Sequence, residues 1–191
     1  MSTVEKSSYE VLYSSAIVIP SKVGEVANIA SRLTAFKAIY QMVEKSAAIP
    51  WWVIGILHSL EASQNFKTHL HNGDDLKSRT IHAPSGRPKA PPKNGHAYEW
   101  VESAIDAVSK RQTPLEWTLS KALEFLERYN GLGYRFAGIN TPYLWSYTQH
   151  YTRGKYGSDG IFDPMLKSNQ TGAAAILKAL EAQGKIPAFV A

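Results

Sequence analysis

The sequence predicts a mainly α fold of the α+β class, with one small β-hairpin or irregular insertion after the second helix. Three observations carry this. Apolar residues recur at helical spacing in five or six separate stretches. About thirty residues, Asn65 to His96, lack that period and are rich in Gly, Pro, Asn and Asp. The 191-residue chain, 44% apolar and 19% charged, has the size and balance of one globular domain.

The elements follow in chain order. Residues 1–20 read as an N-terminal extension in which "SSAIVIP" is a short strand or docking segment. From Ser21, read as an N-cap, Val23, Val26, Ile29, Ala30, Leu33, Phe36, Ile39, Tyr40 and Val43 keep one helical face until Pro50 ends it. A second helix starts at Pro50–Trp51 and ends between Ala62 and Gln64. Helical pattern returns at "AYEWVESAIDAVSKR". It returns again at "TPLEWTLSKALEFLERYN", where Thr113 caps and Pro114 takes the first helical position. "NTPYLWSYTQHYT" reads as another Pro-started helix, and "TGAAAILKALEAQG" as a last one stopped by Gly184. A loop as long as 65–96 is uncommon in a compact domain and points to function.

Composition narrows the chemistry. No cysteine is present, which removes disulfides, thiolate metal sites and a cysteine nucleophile. A net charge of +5 favours an anionic partner. Lys and Arg are scattered, however, and the one basic stretch, "SGRPKAPPKNGH", belongs to no nucleic-acid motif, so no nucleic-acid partner is expected. No apolar run reaches the roughly 20 residues of a membrane span, so no stable membrane insertion is expected, and a monomer is. The N-terminus lacks the basic and cleavage regions of a signal peptide. Synthesis in a cytoplasm is therefore expected, with a separate device releasing the protein if it works elsewhere.

One residue breaks several local rules together. Glu61 sits at the edge of the arc formed by Trp52, Val53, Ile56, Leu57 and Leu60, in the last turn of its helix. Partial burial and the negative end of the helix dipole both disfavour a carboxylate there and favour a protonated acid. A general acid needs that state near neutral pH. The plainer alternative is a Glu at a fraying end that points to water.

The surrounding residues carry a resemblance. An apolar helix ending in Glu, then a polar loop bearing Asp and Thr, resembles the lysozyme superfamily. In phage-type lysozymes the catalytic Glu precedes a loop Asp, and a Thr lies six residues beyond it; here Asp74 follows Glu61 and Thr80 stands six further on. The Glu-to-Asp gap of thirteen is longer than in those enzymes, which leaves Asp74 and Asp75 both open as the second acid. "ERYNGLGYRFAGINTPYLWSYT" resembles the YNxG motif of goose-type lysozymes and lytic transglycosylases, whose Tyr and Asn face the catalytic Glu across the cleft. Tyr129 and Asn130 match it, followed by Gly131 and Gly133. "HSLEAS" is similar to the short ES signature of that group, with Ala62 interposed.

The resemblance implies a lysozyme-like helical domain that cleaves peptidoglycan between N-acetylmuramic acid and N-acetylglucosamine, without a cofactor or metal, in the manner of an endolysin released through a holin or an injection device. Glycosidic cleavage passes through an oxocarbenium-like state and needs a protonated carboxyl at the leaving oxygen, here Glu61. Asp74 or Asp75 would orient a water or stabilise positive charge, and Thr80 would help hold that water. Without a second acid in range, the substrate supplies its own nucleophile and an anhydro sugar results. Tyr129, Asn130, Tyr134, Tyr143 and Trp145 are the expected sugar contacts, though half of such aromatics are ordinary core. His58 would line the cleft or orient Glu61.

Two other classes compete. Histidines 58, 69, 71 and 82 around Glu61 invite a zinc hydrolase, although the spacing is not HExxH. A wall-binding or phage-structural module without turnover is the non-enzymatic alternative, whose mark would be a missing acid.

Overall fold

The computed structural model describes residues 4–157 and 160–189, and of residues 4–8 the backbone alone. The chain is mainly helical. Its elements are α1 (Val4–Ser15), a 3₁₀ turn (Pro20–Lys22), α2 (Val23–Ala35), α3 (Lys37–Ala47), α4 (Trp51–Ala62), α5 (Trp100–Val108), α6 (Leu119–Asn130), α7 (Gly133–Phe136), α8 (Pro142–Trp145), β1 (Lys155–Tyr156), β2 (Phe162–Asp163) and α9 (Ala173–Ala182). The strands pair antiparallel, with Lys155 opposite Asp163 and Tyr156 opposite Phe162. Among the described residues no helix is long and apolar enough to cross a membrane.

Contacts divide the chain into a middle unit, residues 33–115, and a terminal unit, residues 1–32 with 116–191. The middle unit is built on α4, every residue of which is buried except Glu61. Gly55 lets this helix pack closely: a Cβ there would lie 3.0 Å from Leu33 Cδ2 and 3.3 Å from Tyr40 Cε2. In the terminal unit, α6 contributes Leu119, Leu123 and Leu126 to a core shared with Leu144, Trp145, Ile176 and Leu180. Gly172 begins α9 because any side chain would meet the Leu144 carbonyl oxygen at 2.5 Å.

Several boundaries differ from expectation. Residues 4–15 form a helix, and the expected short strand shrinks to one bridge, Val18 with Thr148. The long helical face after Ser21 breaks at Phe36, whose ring meets Phe66 edge-on at 4.8 Å. No Gly or Pro marks that break. The α6 helix begins at Leu119, not Pro114: Thr118 is the cap, accepting from Lys121 N, while Leu115 is fully exposed. "TPYLWSYTQ" is helical for only four residues. The 65–96 insertion holds only the Thr68–Asp75 bridge, and the two-stranded sheet lies instead at 155–163.

Candidate active site

Glu61 is half-buried at the end of α4, and its backbone is clamped from two sides. Past Ala62 the chain turns through two successive left-handed residues, Ser63 (φ +50) and Gln64 (φ +59), neither a glycine. Such residues cost on the order of 1–3 kcal/mol each and persist where surrounding contacts enforce them. Here Gln64 N donates to His58 O at 3.0 Å, and the buried Gln64 amide donates to Ser59 Oγ at 2.8 Å. On the other side lies Gly73 (φ +81), where a Cβ would stand 3.1 Å from Glu61 O. The following loop is thus folded directly onto the acid's backbone.

Asp74 organises that loop. Its Oδ2 accepts from Ile81 N (2.8 Å), His82 N (3.0 Å) and Asn72 Nδ2 (3.0 Å), and its Oδ1 from His82 Nδ1 (2.6 Å). Burial acts to raise its pKa, but the His82 bonds and the Ile81 amide outweigh it and bring the carboxyl down to about 2. Asp74 is therefore an anion at neutral pH, with acceptor capacity left chiefly on Oδ1. Asp75 is exposed and accepts from Lys77 N at 2.8 Å. The Thr80 hydroxyl is buried and engaged, donating to Pro84 O (2.6 Å) and accepting from Arg87 N (2.9 Å). Both Pro84 and Pro88 follow cis peptide bonds in this segment.

The histidines fall in separate places. His58 is fully buried, with Nδ1 3.1 Å from Tyr40 Oη and its ring among Phe66 and Trp100, both 4.6 Å away between centroids. That is a core position, not a cleft wall. His69 lies between Ser103 Oγ (2.6 Å) and Ser78 O (2.7 Å). His71 binds Asp106 Oδ2 at 2.9 Å, and burial lowers its pKa against the pull of that carboxylate. Among the described residues no three His, Asp or Glu side chains could hold a metal ion together. The basic stretch is also largely neutralised: Arg87 pairs with Asp106 at 2.8 Å and Lys93 with Glu102 at 2.6 Å.

In the terminal unit, Asn130 ends α6 with Gly131 (φ +106) as the C-cap residue, and its exposed amide bonds to no other described residue. It lines a pocket of about 380 Å³ together with Tyr134, Tyr143, Lys155 and Tyr156. The Tyr134 hydroxyl accepts from Tyr156 N at 3.0 Å, and burial raises its pKa so that it keeps its own proton to donate. Tyr129 is half-buried and is not among this pocket's lining residues. Trp145, 2% exposed, belongs to the core; Tyr143 is buried but reaches the pocket.

Sequence reasoning missed two features. Glu127 is buried on the apolar face of α6, four residues after Leu123, and its Oε2 accepts from the Tyr9 hydroxyl and from Arg135 Nε at 3.1 Å. A charge on an apolar stripe was the available signal. Lys155 and Tyr156 carried none, because only the hairpin's folding brings them to the end of α6. No family model, curated protein or solved structure matches the chain, so the site rests on its own geometry.

Proposed function

We propose that this protein is a peptidoglycan glycosidase of the muramidase class in which Glu61 protonates the leaving glycosidic oxygen. One observation supports this above the others: Glu61 is the one residue of α4 outside the core, held at a clamped helix end under a polar loop. A half-buried carboxyl on a rigid backbone is what proton donation to a bound sugar requires. Asp74, an anion in the adjoining loop, suits a charge-stabilising or water-orienting role through Oδ1. Thr80, with its hydroxyl engaged inside the loop, serves this reading by shaping the segment that carries Asp74. Peptidoglycan strands are the substrate, reached after release from the cytoplasm, and the basic surface suits their anionic groups.

A lytic transglycosylase is the second reading. Its support is that Asp74 Oδ2 is filled by three donors and that Asp75 turns to Lys77, so that the substrate's own nucleophile replaces the second acid.

The test is Glu61→Gln, nearly isosteric but unable to act as an acid. Clearing of wall suspensions should fall by about 10²–10⁴-fold with an unchanged melting curve. Mass spectrometry of the fragments released by the parent protein separates hydrolysis from anhydro-sugar formation. Clearing within a few fold of the parent by Glu61→Gln overturns the assignment.

A further inference from the structure

We propose that the terminal-unit pocket is a subsite for a sugar carrying a carboxylate, with Lys155 as the residue that selects the charge. This rests on the wall-glycan reading above and adds to it a specificity determinant. The pocket, about 380 Å³, has room for a pyranose ring with one substituent. Among the described residues its lining contains one cation, Lys155, and no carboxylate. No acid among the described residues lies within ion-pair distance of that ammonium, although Asp163 is its cross-strand neighbour.

The remaining lining fits a polyol. The Asn130 amide offers donors and an acceptor, and the Tyr134 hydroxyl, 8% exposed as a residue, has a proton to give. The Tyr134 and Tyr156 rings meet edge-on with centroids 5.0 Å apart, and the half-buried Tyr156 offers aromatic surface at the pocket. Aromatic faces pack against the apolar sides of sugar rings while amides and hydroxyls read their edges. One ammonium acts as a point charge and matches a singly charged group, and no guanidinium among the described residues lines the pocket to fork a phosphate or sulfate.

In a wall glycan, a carboxylate close to the ring comes either from the sugar's own lactyl ether or from the first residues of a peptide joined to it. Both present the same chemistry to Lys155, and the experiment tells them apart.

Binding is measured by calorimetry with the full chain carrying Glu61→Gln, so that no ligand is cleaved. The probes are the neutral N-acetylglucosamine tetramer, a peptide-free glycan fragment with free lactyl carboxylates, and a muropeptide in which the lactyl group is amidated by its peptide. The expected result is a preference for at least one carboxylate-bearing probe over the tetramer. Adding Lys155→Gln should reduce that preference about tenfold while leaving tetramer affinity within about twofold, and Lys155→Arg should retain it. The probe that loses affinity identifies which carboxylate is read. An unchanged preference in Lys155→Gln overturns the subsite and leaves the Glu61 assignment standing. Binding of none of the three probes overturns both. Should Lys155→Gln lose its fold, the salt dependence of the preference decides: it should narrow as ionic strength rises, and a preference indifferent to salt overturns the proposal.

Discussion

The 65–99 loop of the middle unit and the pocket of the terminal unit hold similar side chains and use them differently. In the loop, polar groups serve the chain itself. His69 donates to Ser78 O, Thr80 to Pro84 O, Arg79 to Lys89 O, Tyr98 to Ala90 O and Asn72 to His82 O. Around the pocket, the Asn130 amide, the Lys155 ammonium and the Tyr134 proton meet no partner among the described residues. The cause is backbone accounting. Buried peptide groups must find partners; a long segment without helix or sheet takes them from side chains, whereas at the pocket α6 and α7 pair most of their own peptides, and among Asn130, Lys155 and Tyr134 only Tyr134 accepts from one, Tyr156 N. A polar residue in the loop is therefore structural first, and one at the pocket is available for ligand.

That contrast can be broken by stability measurements, taken from the largest expected change to the smallest. Asp74→Asn replaces an anion accepting four bonds with an amide that presents a donor to backbone N–H groups. Urea unfolding should show a loss of about 2–4 kcal/mol, with lysis failing as well, while Asp75→Asn changes little. The same carboxyl sets an acid limb. Its folded pKa, about 2, lies below the unfolded value, so its contribution is complete above about pH 4 and disappears as pH falls toward 2. Melting temperature followed from pH 5 to 2 should drop less steeply in Asp74→Asn than in the parent; parallel curves would remove Asp74 from the centre of the loop.

Thr80→Val keeps the side chain's shape but strips the Pro84 carbonyl and the Arg87 amide of their partner. The expected loss is about 1–3 kcal/mol. Asn130→Ala should change stability by less than about 0.5 kcal/mol, since its amide bonds to no other described residue. On the proposed glycan-cleaving reading, lysis should nevertheless fall about tenfold, the value of one lost hydrogen bond to a bound sugar. If Asn130→Ala destabilises as much as Thr80→Val does, the pocket is as structural as the loop and the contrast fails.

Much of the helical framework was legible in the sequence, and its misses share one character. Pro50, the apolar run from Trp51 and the polar turn after Ala62 placed α4 closely, and Gly184 (φ +63) stops the last helix as its type requires. The break at Phe36 leaves no mark in the sequence because both flanking segments keep one helical period. The later start of α6 is not legible because Thr113–Pro114 and Thr118 are both acceptable caps, and only burial of Leu119 chooses between them.

The site divides along the same line. Sequence alone determined that an acid stands at the end of the most apolar helix, that a turn-rich polar loop follows it, and that an Asn–Gly pair closes a later amphipathic helix. These depend on neighbours within a few residues, where backbone geometry links spacing to position. Tertiary structure alone decided that His58 and Trp145 belong to the core, that Arg87 is cancelled by Asp106, that Thr80 and Asp74 hold the loop, and that Lys155 reaches the pocket beside Asn130. Residue type fixes what a side chain can bond to. Which partner it meets depends on segments far away in the chain, and no local pattern encodes that distance.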